Sequence, residues 1–337
     1  MLEAAPSDPR APDPLAFHRA AQGIVLKVLI TVDTEIWPRI RDWPFSRRPS
    51  DQELREGYES CVMGRTAAGD YGLPFLLEDL RRHDLKAVFF VESLAADAGA
   101  DDLLQRAVKM IQDAGQDVQL HAHTEWLSRG RGPDLDTRQF FTDYDLDEQR
   151  AIIRHARDLL HKAGAREICA FRAGNMRADA ATITAAADAG IGVEMSFLAG
   201  AMPQPNGTAV ECTVLPVTCL RYRVSRTLRP AQLGSISASE LRAALLAHDA
   251  AGSECFCILL HSFELITLPP DGPPRPNPVN LARWRTLCDV LSSHRDTMPT
   301  IHAGEIACIE NIEPTVVDGM HRHLPGRWAE QVLSRLI

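Results

Sequence analysis

The sequence has few aromatic residues and no surplus of positive charge. Aromatic residues make up 6% of its 337 positions, and 36 lysines and arginines stand against 45 aspartates and glutamates, for a formal net charge of −9. Proteins that bind nucleic acids or anionic membrane surfaces need a basic footprint for the phosphate groups. The acidic balance therefore argues against both kinds of partner.

Long hydrophobic runs and paired cysteine motifs are also missing. No apolar stretch approaches the ~20 residues of a membrane-spanning helix, and residues 1–22 lack the basic and apolar regions of a secretory signal peptide. The eight cysteines form no Cys-x-x-Cys pair, and several lie in apolar runs such as 255–260, which is typical of buried, reduced thiols. These features predict a cytoplasmic protein without membrane insertion.

The composition is that of a soluble globular protein, with 45% hydrophobic and 24% charged residues. Residues 1–22 are rich in proline, alanine and aspartate, and we expect a flexible arm there. We predict one domain over residues 23–312 and a C-terminal extension over 313–337. Residues 38–70 are polar and irregular in pattern, and a loop of this length inside a domain is usually functional or disordered.

Strand-like and helix-like segments alternate along most of the chain. Apolar runs predict strands, and amphipathic stretches between them predict helices. Such alternation indicates βα units and a mainly parallel sheet, and about seven units could close into a barrel. The predicted strands are 24–32, 87–91, 117–121, 167–171, 192–196, 255–260 and 300–302, and the predicted helices are 73–83, 101–114, 147–163, 178–189, 239–251 and 279–293.

Charged or imidazole side chains follow five of these strands. In parallel α/β folds, ligands bind beyond the carboxyl ends of the strands, so these residues predict one shared site. The charged and imidazole residues are Asp33 and Glu35 after the first strand, Glu92 after the second, His121, His123 and Glu125 after the third, Arg172 after the fourth, and His261 after the late strand; Trp37, Trp126 and Asn175 lie beside them.

The residue types suit a divalent metal with an acid and a base beside it. Along an extended chain, residues i and i+2 face the same way, so Asp33 can converge with Glu35, and His121 with His123. Imidazole and carboxylate ligands with one open position are typical of a catalytic metal site. Asp33 has the right chemistry for a general base and His261 for a general acid.

At these positions the sequence resembles the polysaccharide deacetylase family, also called carbohydrate esterase family 4 or the NodB-homology domain. The resemblance runs from about Val25 to about Glu310 and rests on five motifs in order. They are Thr31-Val32-Asp33-Thr34-Glu35, the segment 73–91, Asp117-Val118-Gln119-Leu120-His121, Phe171-Arg172-Ala173-Gly174 and Leu259-Leu260-His261.

The resemblance implies an irregular (β/α)7 barrel and a metal-dependent hydrolase. It implies that Asp33 is the catalytic base and that Arg172 orients it. It further implies that His121 is a metal ligand and that His261 is the general acid. The expected reaction is removal of an acetyl group from an amino sugar or acetylated sugar, with a small acetylated sugar or sugar-linked precursor as the partner.

The sequence departs from the family pattern at two metal-ligand positions. Thr34 stands where the family has its second aspartate, and Glu125 stands where it has its second histidine. We expect Glu35 to replace the aspartate. An extended chain after His121 would bring in His123, whereas a helical turn would bring in Glu125; imidazole is the commoner ligand. One divalent ion, zinc, is the expected cofactor.

The remaining candidates concern the substrate. Trp37, Trp126 and Asn175 are predicted to bind it, with packing in the fold as the alternative for both tryptophans. The Asp-x-Glu and His-x-His variants resemble a branch of the family linked to lipopolysaccharide and capsule synthesis. Two other functions compete: a non-catalytic sugar-binding or regulatory protein, and an amidohydrolase-type amide hydrolase.

Overall fold

A computed structural model describes residues 25–41, 43, 47–129, 138–201, 211–222, 228–269, 272–309, 316–318 and 330. The predicted arm over residues 1–22 lies outside the described residues, as does nearly all of the predicted extension over 313–337. Within the described ranges, no helix is both long and apolar enough to cross a membrane.

The described residues form a mixed α/β fold around a curled, parallel sheet of seven strands. The strand order is β11-β1-β4-β5-β6-β7-β8, and each neighbouring pair is parallel. The predicted (β/α)7 fold class is confirmed, as a half-barrel. The strands are β1 (Lys27–Thr34), β2 (Arg65–Thr66), β3 (Gly69–Asp70), β4 (Val88–Glu92), β5 (Asp117–Ala122), β6 (Ala170–Ala173), β7 (Val193–Glu194), β8 (Thr213–Val214), β9 (Cys219–Arg221), β10 (Leu228–Pro230), β11 (Cys255–His261), β12 (Ile266–Thr267), β13 (Arg275–Pro276) and β14 (Val316–Asp318).

Helices between the strands cover the outer face of this sheet. Helix α5 (Leu146–Lys162) begins at an Asp145 cap that pairs with Glu148, and helix α7 (Ala238–Ala251) begins at a Ser237 cap that pairs with Glu240. The helices are α1 (Asp51–Gly57), α2 (Leu73–His83), α3 (Asp101–Asp113), α4 (Glu125–Arg129), α5 (Leu146–Lys162), α6 (Ala180–Asp188), α7 (Ala238–Ala251) and α8 (Pro278–Ser293).

Two apolar clusters lie on opposite faces of the sheet. Alternate residues of a strand point to opposite faces, so Val28, Ile30 and Val32 of β1 join the helix-covered cluster, whereas Leu29 joins a smaller cluster on the inner face. The same alternation carries Thr31 and Asp33 onto the inner face. The apolar residues along each strand therefore decide which face of the sheet the polar side chains at its carboxyl end point to.

The region 38–70 contains regular structure where the sequence pattern had suggested an irregular loop. Helix α1 begins at Ser50, which forms a capping box with Glu53, and a π-helical turn follows over Tyr58–Val62. The hydroxyl of Ser262, directly after β11, donates a hydrogen bond of 2.8 Å to the Cys61 carbonyl. The turn therefore packs against the carboxyl end of the sheet.

The predicted strand near residue 300 is only an isolated bridge between Thr300 and Val28. The backbone of residue 301 adds one hydrogen bond to Val28, and the chain then enters a 3-10 turn over Ala303–Cys308. This segment contacts the amino-terminal part of β1, far from the carboxyl ends of the strands.

Candidate metal centre

The strand register brings the predicted residues together at one end of the sheet. Asp33 pairs with His261 across β1 and β11, Glu92 with His121 across β4 and β5, and His121 with Arg172 across β5 and β6. Parallel pairing aligns the carboxyl ends of all five strands, so side chains distant in sequence become neighbours. The carboxylates, imidazoles and guanidinium concerned are nearly all buried.

Glu35, His121 and His123 form the tightest cluster of candidate metal ligands. The Nε2 atoms of His121 and His123 lie 2.9 and 3.1 Å from the same oxygen, Oε1 of Glu35. One possible ligand atom from each residue lies within 4.8 Å of those from the other two. Two imidazoles and a carboxylate are a ligand set typical of zinc and similar divalent ions.

The hydrogen bonding of His121 shows why this cluster suits a cation. Its Nδ1 lies 2.8 Å from the carbonyl oxygen of Arg172. A carbonyl only accepts, so Nδ1 donates this hydrogen bond, and Nε2 is the ring nitrogen that faces the Glu35 oxygen. The 2.9 Å between Nε2 and Oε1 is a distance that a shared proton or a bound cation can bridge. The residues present therefore fit a divalent metal.

The second oxygen of Glu35 is held separately. The indole N–H of Trp37 donates a hydrogen bond to Oε2, which leaves Oε1 as the oxygen directed at the two imidazoles. The Trp37 ring also meets the His123 ring edge-on, with 4.7 Å between centroids. Trp37 thus fixes the orientation of a candidate ligand, and the substrate contact expected from the sequence stays a prediction.

His123, and not Glu125, reaches the cluster. The chain stays extended past the end of β5, and helix α4 begins only at Glu125. The backbone N–H of His123 donates to Glu92 at 2.6 Å, which holds the extended segment in place. Glu125 lies on the outer side of the imidazole, with Oε2 3.3 Å from Nδ1 of His123.

The charges and hydrogen bonds within the cluster shift the pKa values of its buried residues. Burial by itself raises the pKa of Glu35, but the charges of His123 and His261 and the hydrogen bonds from both cluster imidazoles hold that pKa well below its ordinary value. Burial by itself lowers the pKa of His123, but the Glu35 charge and the contact with Glu125 hold it well above its ordinary value. Burial raises the pKa of Glu92, which lies behind them, to about 7.

Asp33 lies beside the cluster in a buried ion pair with Arg172. Arg172 Nη1 donates to Asp33 Oδ1 at 2.6 Å, and Nη2 donates to the Thr31 hydroxyl at 3.0 Å. The guanidinium also donates to the Met195 carbonyl at 3.1 Å and stacks on the Phe90 ring. Arg172 is fully buried and Asp33 almost so, so the carboxylate has one fixed orientation.

His261 lies next to Asp33 and Glu35, at the solvent-facing edge of the cluster. Its Nε2 is 3.9 Å from Asp33 Oδ2 and 3.8 Å from Glu35 Oε1, and its Nδ1 is 2.9 Å from Glu264 Oε1. Burial lowers the pKa of His261, but the charge of Glu35 and the hydrogen bond to Glu264 outweigh it and raise the pKa to about 9. The two carboxylates therefore favour the protonated form of His261.

Glu264 was not identified as a functional residue from the sequence. Its carboxylate accepts hydrogen bonds from the Gly234 backbone and the Gln232 side chain at 2.7 and 2.5 Å, in addition to its contact with His261. The available signal was its place three residues after a strand-ending histidine. A second possible ligand group, Asp33 with Glu35 and His261, shares Glu35 with the first.

The three predicted substrate residues lie in different environments. Trp126 is fully buried and packs against Trp43 and Trp37, in agreement with the packing alternative. Trp37 is partly exposed and Asn175 is exposed. Asn175 has a positive φ of 57° and donates a hydrogen bond of 2.7 Å to Glu125.

Comparisons with known proteins found one matching family model and a set of similar solved structures. Residues 72–193 match the family model described as polysaccharide deacetylase, a stretch that contains β4, β5 and β6 with their strand-end residues. No curated protein matches the sequence.

Similar solved structures share little sequence identity with this chain. A family 4 carbohydrate esterase from Streptomyces lividans, in complex with acetate, matches at 15% identity and a TM-score of 0.40, over 79% of this chain and 88% of that one. A putative polysaccharide deacetylase from Mycobacterium smegmatis matches at 15% and 0.48, over 98% and 96%. A CE4 family pseudoenzyme from Bacillus anthracis matches at 14% and 0.43, over 87% and 69%.

Proposed function

We propose that this chain is a metal-dependent carbohydrate deacetylase of the polysaccharide deacetylase family, whose model matches residues 72–193. The observation that carries the proposal is the arrangement at the carboxyl end of the sheet. A cluster of two imidazoles and a carboxylate lies beside a carboxylate held by arginine and a histidine held by glutamate.

The ligands in this proposal are Glu35, His121 and His123, and zinc is the proposed ion. A divalent ion held there would act as a Lewis acid toward the acetyl carbonyl oxygen. The two imidazoles and the carboxylate supply three ligands, which leaves room for a substrate oxygen in a four-coordinate site.

Asp33 and His261 perform the proton transfers. Asp33 Oδ2 accepts a proton from the attacking water while Arg172 holds Oδ1, and the water oxygen forms the new bond to the acetyl carbon. The bond from that carbon to the sugar nitrogen or oxygen then breaks. Nε2 of His261 donates its proton to the leaving atom, so that acetate and a free amine or hydroxyl result.

We propose a small acetylated sugar, or a sugar linked to a carrier, as the substrate. The cluster residues are buried, and His261 is the more exposed member at its edge, an arrangement that suits an acetyl group inserted end-on. All eight cysteines are free, which supports a reducing, cytoplasmic location. The proposal includes a role in surface-polysaccharide synthesis. It also includes the division of the chain into an arm (1–22), one domain (23–312) and a C-terminal extension (313–337).

The experiment combines metal analysis with acetate release. Protein purified without chelator is assayed on nucleotide- and lipid-linked N-acetyl sugars, on O-acetylated sugars and on chitin oligomers. We expect near one equivalent of divalent ion and release of acetate from a monosaccharide substrate, with both lost in His121→Ala. His155→Ala, which removes a surface histidine paired with Asp97, is the matched control and should change neither.

The outcomes separate the competing functions. Metal without turnover, together with tight sugar binding, would support the non-catalytic sugar-binding alternative. The two departures from the family motif, Thr34 and Glu125, motivate that alternative. Cleavage of long chitin oligomers without cleavage of any small acetylated sugar would refute the substrate proposal.

A further inference from the structure

We propose that Glu125 is a positioning residue that holds His123 in the orientation a metal ligand requires. The proposal rests on the proposed metal site and assigns to Glu125 a role different from direct ligation. It concerns a carboxylate at the position where the family pattern has a histidine, and it explains how a His-x-His-x-Glu sequence can replace that histidine.

The contacts form a continuous chain from solvent to the cluster. The exposed Asn175 donates to Oε1 of Glu125 at 2.7 Å. Oε2 of Glu125 lies 3.3 Å from Nδ1 of His123, and Nε2 of His123 lies 3.1 Å from Oε1 of Glu35. A proton on Nδ1, the ring nitrogen next to the Glu125 carboxylate, leaves the Nε2 lone pair free to face the proposed metal position.

The other contacts of His123 leave its ring little freedom. Glu92 holds the backbone N–H at 2.6 Å, and the Trp37 ring meets the imidazole edge-on. On another side, a Cβ atom added at Gly174 would come within 2.6 Å of the imidazole. The ring is therefore clamped by packing, and Glu125 sets which of its nitrogens carries the proton.

Glu125 is badly placed to be a ligand itself. It contacts the nitrogen of His123 that points away from Glu35, and the ligand group around Glu35 contains His121 and His123. A carboxylate on the outer nitrogen of a ligating histidine fixes the ring and increases its basicity. Loss of such a partner typically weakens metal binding ~10- to 100-fold.

The test measures zinc affinity by competition with a chromogenic chelator and records the visible spectrum of the cobalt(II)-substituted protein. We expect Glu125→Ala to weaken zinc binding ~10- to 100-fold. Glu125→Gln keeps an acceptor for Nδ1, so we expect it to recover most of this affinity and to leave the cobalt(II) spectrum unchanged. If Glu125 were a ligand, both variants would change that spectrum.

Glu264→Gln is the matched control. It also removes one carboxylate charge from Nδ1 of a histidine at the site, since Glu264 Oε1 lies 2.9 Å from His261. We expect Glu264→Gln to leave zinc affinity within about twofold of wild type, because loss of a carboxylate partner weakens binding only where its histidine is a ligand. Equal weakening in Glu264→Gln and Glu125→Ala would show a general effect of charge and overturn the positioning role.

The result remains separable from the proposed function. If the wild-type protein binds no divalent ion, the metal-dependent function fails together with this inference. If the wild type binds zinc and Glu125→Ala binds it equally well, only the inference fails. Zinc binding that follows the expected series without acetate release supports the positioning role and refutes the deacetylase proposal.

Discussion

The buried pair of Asp33 and Arg172 allows a quantitative prediction about stability and activity together. Both side chains are buried, and their closest atoms are 2.6 Å apart. Removing one member of a buried ion pair leaves an uncompensated charge, at a cost of about 3–5 kcal/mol. Asp33→Asn retains an amide oxygen that can accept from Arg172, so we expect the lower value, about 3 kcal/mol.

Arg172→Met should cost somewhat more, about 4 kcal/mol. It leaves Asp33 charged and buried, and it also removes the hydrogen bonds to Thr31 and Met195. The double variant carries no buried charge at these positions. We therefore expect it to lose no more than about 5 kcal/mol, for a coupling energy of about 2 kcal/mol relative to the sum of the single changes.

The assay is urea unfolding of the wild type and the three variants in the presence of a chelator, so that metal binding does not contribute to the free energy. A loss of about 3 kcal/mol leaves a domain of ordinary stability folded. We then expect folded Asp33→Asn to lose about 10²- to 10⁴-fold in turnover, the usual contribution of a general base. Additive free energies, or turnover near that of the wild type, would refute the assignment.

Three further predictions concern the other side chains of the site. Elemental analysis should find near one equivalent of zinc in the wild type and almost none in His121→Ala. The pKa of His261 is raised to about 9. If His261 is the general acid, we expect activity to fall as pH rises through that value, because the protonated form is lost. Glu264→Gln should lower the pKa of His261 and move the alkaline limb of the pH–rate profile to lower pH. Trp37→Phe keeps an aromatic ring but removes the N–H that donates to Glu35. We expect steady-state kinetics to show a fall in kcat/KM of about tenfold, equivalent to ~1.4 kcal/mol for a charge-assisted hydrogen bond. An unchanged kcat/KM would show that this hydrogen bond does not contribute to catalysis.

The sequence predicted the edge of the sheet at which the site forms, because that prediction needs only strand ends and alternation. Apolar runs identify β1, β5 and β11, and period-2 alternation gives the direction of side chains at their ends. The match between Asp33 and His261 then follows from parallel pairing. What local pattern could not decide was the choice between His123 and Glu125, since it depends on where the chain stops being extended and α4 begins.

Other misses have physical causes that can be named. Residues 38–70 were expected to be irregular from their composition, yet Ser50 and Glu53 carry the spacing of a capping box, and helix α1 begins there. The hydrogen bond from Trp37 to Glu35 and the contact of Glu264 with Gly234 depend on tertiary geometry. Burial of Trp126 likewise depends on packing of the chain around residue 43.

The pairing of β1 with β11 has a consequence for synthesis of the chain. The hydroxyl of Thr31 bonds to the carbonyl of Ile258, 227 positions away, and Asp33 aligns with His261 only when these strands meet. While a ribosome is still making the middle of the protein, one edge of β1 has no partner. Contacts so distant in sequence form slowly, and an unpaired strand edge promotes aggregation. A nascent chain that stops before residue 261 thus leaves one edge of β1 exposed and lacks the proposed general acid, so the proposed site is complete only once β11, one of the last strands to be made, has been added.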